Sequence, residues 1–287
     1  MADLLSGLGK FGLNFLEGAG LYEEEEKEKE IKAPPPPPPV KEEADYLFDK
    51  SYECPVCYSA IRARTVRAGK VRLLRTDLDL RPVYEQLEPL KYDVVICPKC
   101  GYAVASRYFG GLAKFQKEAI REVISPSFRP AEEEKQTYTF EEALERYKLS
   151  LASAVVKRAR ASEKAYICLK SGWLLRSMEE NLPEDTPDYE KKLAELKEQE
   201  RVFLQNALDG LLNARMTETY PMCGMDQTTA EYLIAVLAMN DGRFDISSRI
   251  ISDILASRST SRRIKERARD IKELLIQKIK EQKAQQT

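Results

Sequence analysis

Two cysteine pairs, Cys54-Pro55-Val56-Cys57 and Cys97-Pro98-Lys99-Cys100, constrain this chain more than any other feature. In a Cys-x-x-Cys segment one tight turn presents two thiols to a common point, so two such segments supply four corners of a tetrahedral metal site. A proline inside each pair limits the alternatives of the turn, and Gly101 permits a positive φ just after the second. The chain contains no histidine. Four thiolates and no imidazole predict structural Zn2+ held by Cys54, Cys57, Cys97 and Cys100. With protein sulfur at every corner no position is left for water, so the site is not catalytic. The alternatives are two unrelated reduced thiol pairs or a redox-active Cys-x-x-Cys.

At 287 residues the chain has room for two domains, or for one with extended appendages. Hydrophobic residues make up 43%, as in a soluble globular protein, and the net charge of −1 argues against a surface generally coated in nucleic acid. No apolar run is long enough to span a bilayer. Met1 to Leu21 lacks the cationic start and small-residue cleavage site of a secretory signal. Free thiols at the centre of the fold place the expected setting in a reducing cytoplasm.

Residues 1–45 read as a tail. Leu4, Leu5, Leu8, Phe11, Phe15 and Leu16 recur at helical spacing, but Gly7, Gly9, Gly12, Gly18 and Gly20 make an isolated helix marginal. A Lys/Glu run follows, then the prolines Pro34 to Pro39, a stiff polyproline II spacer of about 3.1 Å per residue. An amphipathic peptide in residues 1–21 on such a tether reads as a docking element that folds on a partner. A tail with incidental apolar residues is the alternative. Membrane docking is disfavoured, since Lys10 is the only cation and the flank is acidic.

Residues 46–110 are expected to form a small zinc-ribbon-like β domain. Roughly forty residues separate the cysteine pairs, against about fifteen to twenty in a minimal ribbon. Ile61–Val66 and Val71–Leu74 are β-prone runs flanking Ala68-Gly69, which predicts a hairpin pairing Val66 with Val71 and Arg62 with Arg75. Tyr92–Ile96 reads as a core strand leading into the second pair. Asp77–Leu90, with two prolines, reads as an insertion holding at most one helical turn. The basic residues Arg62, Arg64, Arg67, Lys70, Arg72 and Arg75 cluster here without an acid among them. They are candidate nucleic-acid contacts. No aromatic residues interleave to stack bases, and Asp77, Asp79 and Asp93 stand near to neutralise them, so a solvated hairpin is the blander reading.

From residue 111 to 287 the apolar period is helical. Helices are predicted at Leu112–Ile124, from a Thr139/Glu142 capping box through Leu151, and at Glu163–Glu180, Tyr189–Thr217, Thr228–Met239, Asp245–Ser257 and Arg263–Gln282. Trp173, Tyr166 and Tyr232 fall on core positions. Gly242-Arg243-Phe244, Ser247 and Ile251 have the glycine, aromatic, small, large spacing of tetratricopeptide repeats, and Phe140, Ala143 and Tyr147 repeat part of it. The small residue lets two helices approach while the large ones interlock. An ordinary helical bundle is the alternative. Cys168 reads as a buried, inert thiol. Cys223 stands in a loop before a helix, where a thiol can be reactive, and an enzyme using it is a third reading; no histidine exists to activate it, and Asp226 reads as the cap of that helix.

Cys54–Cys57, Arg75-Thr-Asp-Leu-Asp79, Glu88-Pro-Leu-Lys-Tyr92, Ile96–Ala103, Met225–Thr229 and Tyr232–Ile234 together resemble the uncharacterised bacterial domain-of-unknown-function 2225 family. The likeness runs over roughly residues 46 to 257. It departs at Tyr58, where a glycine commonly follows the first pair, and at Ala235–Asn240, which lacks the usual basic pair. The resemblance implies a four-cysteine, zinc-ribbon-like part joined to tetratricopeptide-like helices in a cytoplasmic bacterial setting, and it brings no activity.

The expected fold is therefore α+β and mostly α. The expected function is a non-enzymatic scaffold that binds a protein or peptide through its helical part and through residues 1–21. The alternative is a nucleic-acid-binding module using Arg62, Arg64, Lys70, Arg72 and Arg75.

Overall fold

A computed structural model describes residues 42–130 and 135–285. The tail through residue 41, with its amphipathic peptide and proline run, lies outside the described residues. The order is β1 (Leu47–Glu53), β2 (Ala60–Val66), β3 (Leu73–Thr76), β4 (Pro82–Tyr84), β5 (Val94–Ile96) and β6 (Ala103–Ala105). The helices follow as α1 (Lys114–Val123), α2 (Phe140–Val156), α3 (Ala161–Glu180), α4 (Tyr189–Thr217), α5 (Gln227–Asn240), α6 (Phe244–Ala256) and α7 (Arg262–Gln285). The fold is α+β and mostly α. A 3-10 turn at Glu43–Tyr46 precedes β1, and Glu43 pairs with Lys91 at 2.6 Å.

The strands form three separate antiparallel pairs, β1–β2, β3–β4 and β5–β6. In two of them the cysteine segment is itself the turn. β1 and β2 close around Cys54–Cys57 with Glu53 opposite Ala60, and β5 and β6 close around Cys97–Cys100 with Ile96 opposite Ala103. This corrects the expected pairing across Ala68-Gly69. A turn does exist there, with Gly69 at φ +74° and Lys70 N–H donating to Arg67 O at 3.2 Å. But β2 already pairs with β1 along its whole length, and β3 goes on to β4. Arg62 consequently faces Ser51, and Arg75 faces Val83. The insertion holds one strand, β4, beside its single 3-10 turn. Tyr92 ends that turn rather than starting a strand, because Pro89 begins it and the Glu88 carboxylate caps it, accepting from Leu90 N at 3.0 Å.

β5 and β6 are buried on both faces, which is why their sequence is a continuous apolar run. Val95 and Val104 face the cysteines, in a core with Ile61, Ala63, Tyr102 and Ile120. Val94 and Ala103 face the helices and join the large core of Leu169, Leu174, Leu208, Leu233 and their neighbours. Hydrogen bonds fix this seating: Arg146 of α2 donates to Val94 O at 2.9 Å, and Ala103 N–H donates to Ser153 Oγ at 3.2 Å.

The helix boundaries follow local chemistry. Thr139 and Glu142 form the predicted capping box on α2, and Asp226 accepts from Thr229 N at 2.7 Å at the start of α5. Between α3 and α4 small residues set the approach. A Cβ on Gly172 would stand 2.6 Å from Leu204, and one on Gly210 would stand 2.8 Å from Ala165. No helix among the described residues is long and apolar enough to cross a membrane.

Candidate metal centre

The two cysteine turns have the same backbone geometry. In the first, Tyr58 N–H returns to Cys54 O at 2.8 Å and Cys54 N–H donates to Ser59 O at 2.9 Å. In the second, Gly101 N–H returns to Cys97 O at 2.9 Å and Cys97 N–H donates to Tyr102 O at 2.8 Å. Each turn ends on a left-handed residue, Tyr58 at φ +59° and Gly101 at φ +74°. The position thus has a physical preference for glycine, and Tyr58 departs from it. Its exposed ring lies beside two cations, with Lys117 Nζ 5.1 Å and Arg121 Cζ 5.8 Å from its centre.

The hairpins bring the four sulfurs together, all within 4.8 Å of one another. Cys54 and Cys100 lie 3.6 Å apart, Cys57 and Cys97 3.5 Å. Metal–sulfur bonds of about 2.3 Å in a tetrahedron require sulfur separations of about 3.8 Å, so the donor set fits one ion. Cys54, Cys97 and Cys100 are buried and Cys57 is partly so. Hydrogen bonds from Cys100 and Cys54 hold Cys97 well below the usual thiol range. Cys54 is pulled down by Cys100, but its bond to Cys97 and its burial prevail and push it up to about 11. Cys100 is pushed up further by its bonds to Cys54 and Cys97 and by burial. Cys54, Cys97 and Cys100 are thus pushed in opposite directions by their crowding, and the four sulfurs together could hold one metal ion.

Helix α1 covers this centre, a role that the sequence did not disclose. Ile120 is fully buried against the cysteines. The Arg121 guanidinium donates to Val56 O in the first turn, with Nε at 3.0 Å. Ser125 Oγ donates to Cys100 O at 2.9 Å in the second, and Phe128 closes over Gly101. The only early signal was the amphipathic period of residues 112–124, which gives a buried face without its partner.

Arg62 and Arg64, two residues apart on β2, share a face, and three of the basic residues of the strand region are ion-paired. Arg64 pairs with Asp49 at 3.2 Å, Arg75 with Asp77 at 3.1 Å, and Arg72 with Glu85 at 3.8 Å. Arg62 and Lys70 have no ion-pair partner among the described residues. Arg62 stands on the outer face of β1–β2, diagonal to Asp49 and Glu53.

A second polar cluster joins the β3–β4 loop to α3 and α4. Arg81, wholly buried, donates to Asp77 Oδ2 at 2.7 Å, Ser177 Oγ at 3.0 Å and Glu180 Oε1 at 2.5 Å. Arg176 bridges Asp79 at 2.9 Å and Glu200 at 2.7 Å, and Trp173 Nε1 donates to Asp79 at 3.0 Å. Burial, together with the neighbouring Glu200, pushes Glu179 up to about 7. Arg81, Arg176, Trp173 and their carboxylate partners satisfy one another and work as an interlock, while Glu179 Oε1 is buried without a hydrogen-bond partner among the described residues. Trp173 and Tyr232 are buried in the core, and Tyr166 packs half-buried against it. Burial pushes the Cys168 thiol up to about 11 and raises Cys223, whose S–H donates to Ser162 O at 3.2 Å. Both shifts disfavour the thiolate.

No curated protein and no solved structure matches the chain. The family model described as an uncharacterized protein conserved in bacteria (DUF2225) matches residues 47–275. That span holds the four-thiol centre and most of its helical support, and the chain belongs to this family.

Proposed function

We propose that this chain is a non-enzymatic, cytoplasmic interaction scaffold, in which one structural Zn2+ fixes the strand region and the helices present a surface to a protein or peptide. The observation that carries the reading is the four-sulfur cluster: all-thiolate donors suit zinc, and four of them leave no corner for a reacting water. The partner surface is a groove between α2, α3 and α4, lined by Leu151, Val155, Cys168, Val202 and Phe203. Val155 is 59% and Val202 41% exposed, so both are open to a partner in this groove. The tetratricopeptide-like reading of α5–α6 is supported by Ser247, which is fully buried and donates to Ala235 O at 2.8 Å where the helices meet. The apolar pattern of residues 1–21 offers a second docking element.

The test is affinity capture from the native bacterial host. Four baits are compared: the full chain, Val155→Asp, Val202→Asp, and the chain lacking residues 1–40. Bound zinc is measured on each. The reading expects one zinc per chain and a partner that both groove variants lose. Absent zinc, or identical retained proteins on wild type and groove variants, would sink it.

A further inference from the structure

We infer that one flank of α7 is a docking surface for the phosphate backbone of double-stranded nucleic acid, built from Lys265, Arg269, Lys272 and Lys280. Residues 258–283 carry ten lysines and arginines against four acids, a net charge of +6 in a chain whose total is −1. Packing decides where that charge stands. Ala268, Ile271 and Leu275 are buried in the large core, and Ile264 and Ile279 pack against it at either end of the same stripe. At 3.6 residues per turn these contacts fix the roll of the helix. Lys265, Arg269, Lys272 and Lys280 then follow one line along its flank, with Ile276 between the last two. The line is about 22 Å long. Arg269, Lys272 and Lys280 are exposed and Lys265 is half-buried.

These four cations make no ion pair among the described residues. Two acids border the line. Glu266 pairs with Arg262 at 2.8 Å, and Glu273 pairs with none of the four. Like charges three and four residues apart on a helix repel one another. The first turn adds to the cost: it carries Arg262 and Arg263 and no acid, against a helix dipole that favours anions at that end. An external polyanion relieves both.

The character of the flank selects among polyanions. A protein interface has an apolar core and few lysines, whereas here three of the four cations are lysines and Ile276 is the one apolar group among them. An anionic membrane holds a helix by an apolar face sunk between the lipids. That face of α7 is already taken by the protein core, and the exposed Leu274 and Ile276 fall on opposite flanks. Single-stranded nucleic acid relies on aromatic platforms for its bases, and α7 contains no aromatic residue. A duplex, with its bases stacked inside, asks of a protein chiefly cations placed along its phosphates, and its binding to them needs no particular sequence. This surface shares no residue with the groove of α2, α3 and α4 or with the basic residues of the strand region.

Fluorescence anisotropy on the full-length, zinc-loaded protein tests it. The probes are a fluorescein-labelled DNA duplex of mixed sequence, labelled oligo(dT) and a labelled polyglutamate peptide. The duplex is expected to bind most tightly of the three, with log K falling against log salt at a slope of about −3.6 for four phosphate contacts. Arg269→Gln and Lys272→Gln should each weaken binding and reduce that slope by about 1, whatever the duplex sequence. Arg62→Gln and Lys70→Gln in the strand region should leave both unchanged. Circular dichroism melts identify any variant that misfolds, and exposed Lys280→Gln supplies a third independent variant. The proposal is overturned if the duplex does not bind, if oligo(dT) or polyglutamate binds as tightly as the duplex, or if the folded α7 variants keep the affinity and slope of wild type.

Discussion

Gly101→Ala isolates the demand that the second cysteine turn places on its backbone. Gly101 is buried at φ +74°, where an L side chain costs about 1–2 kcal/mol. A Cβ built there meets Phe128 Cγ at 2.5 Å, Cδ2 at 2.7 Å and Cβ at 2.9 Å. Rotating the ring cannot relieve the last contact, so the loop after α1 must shift, and overpacking of this kind costs about 1–3 kcal/mol. Together the two effects predict a loss of about 3 kcal/mol, a large part of the roughly 5–15 kcal/mol typical of a folded domain. Tyr58 occupies the equivalent place in the first turn with an exposed side chain. Tyr58→Gly should therefore relieve backbone strain while giving up the ring's contacts with Lys117 and Arg121, and leave the midpoint nearly unchanged. Urea unfolding of the zinc-loaded proteins measures both, as a midpoint shift at constant slope. If Gly101→Ala unfolds within about 0.5 kcal/mol of wild type, or if Tyr58→Gly is equally damaging, the argument from the turns fails.

Two further outcomes concern the interlock. Arg81→Met should cost about 1–3 kcal/mol in the same urea assay, because Asp77, Ser177 and Glu180 lose their buried donor while Arg75 still reaches both carboxylates; a loss under about 0.5 kcal/mol would mean that Arg75 and solvent replace the guanidinium. The raised pKa of Glu179 means that the folded state binds its proton more tightly than the unfolded chain. Its stability contribution is full below the ordinary 4.5 and is lost as pH rises through about 7. Glu179→Gln should then gain about 1 kcal/mol at pH 8, discounted for its partial exposure, and nothing at pH 4; equal gains at both pH values would contradict that sign.

What could be read in advance was what local chemistry decides. A Cys-x-x-Cys turn needs no distant partner to be recognisable, and the two copies met as their spacing implied. Thr139 with Glu142, and Asp226 before α5, mark helix starts because a cap acts within one turn. Strand pairing is not local. Ile61–Val66 has a β-prone run downstream and another at Leu47–Glu53 upstream. Gly69 does make a turn, but the tighter closure at Cys54–Cys57 had already taken β2. Arg81 lay among other charged residues with nothing to show that it would be buried against Ser177 and Glu180, far along the chain. Sequence offers the charge, and only the packing of the β3–β4 loop on α3 makes it an interior one.

The two-faced β5–β6 hairpin decides how the molecule should respond to removal of a metal ion held by the four cysteines. Metal–thiolate binding in small zinc sites is worth on the order of 10–16 kcal/mol, comparable to the whole stability of a domain. On the metal side, β1–β2 and α1 meet the hairpin through the cysteines and the small core of Val95, Val104 and Ile120. On the other side Val94 and Ala103 sit in the helical core, Arg146 and Ser153 bond the strands, and Lys170 pairs with Asp93. These helical contacts do not need an ion. Chelation should therefore release backbone amides of β1, β2 and α1 to hydrogen exchange while those of β5, β6, α2 and α3 stay protected. Exchange read by mass spectrometry before and after chelator distinguishes the cases. Simultaneous loss of protection in α2 and α3 would mean that the metal stabilises the whole body, and unchanged exchange in β1–β2 would mean that the four sulfurs stabilise nothing.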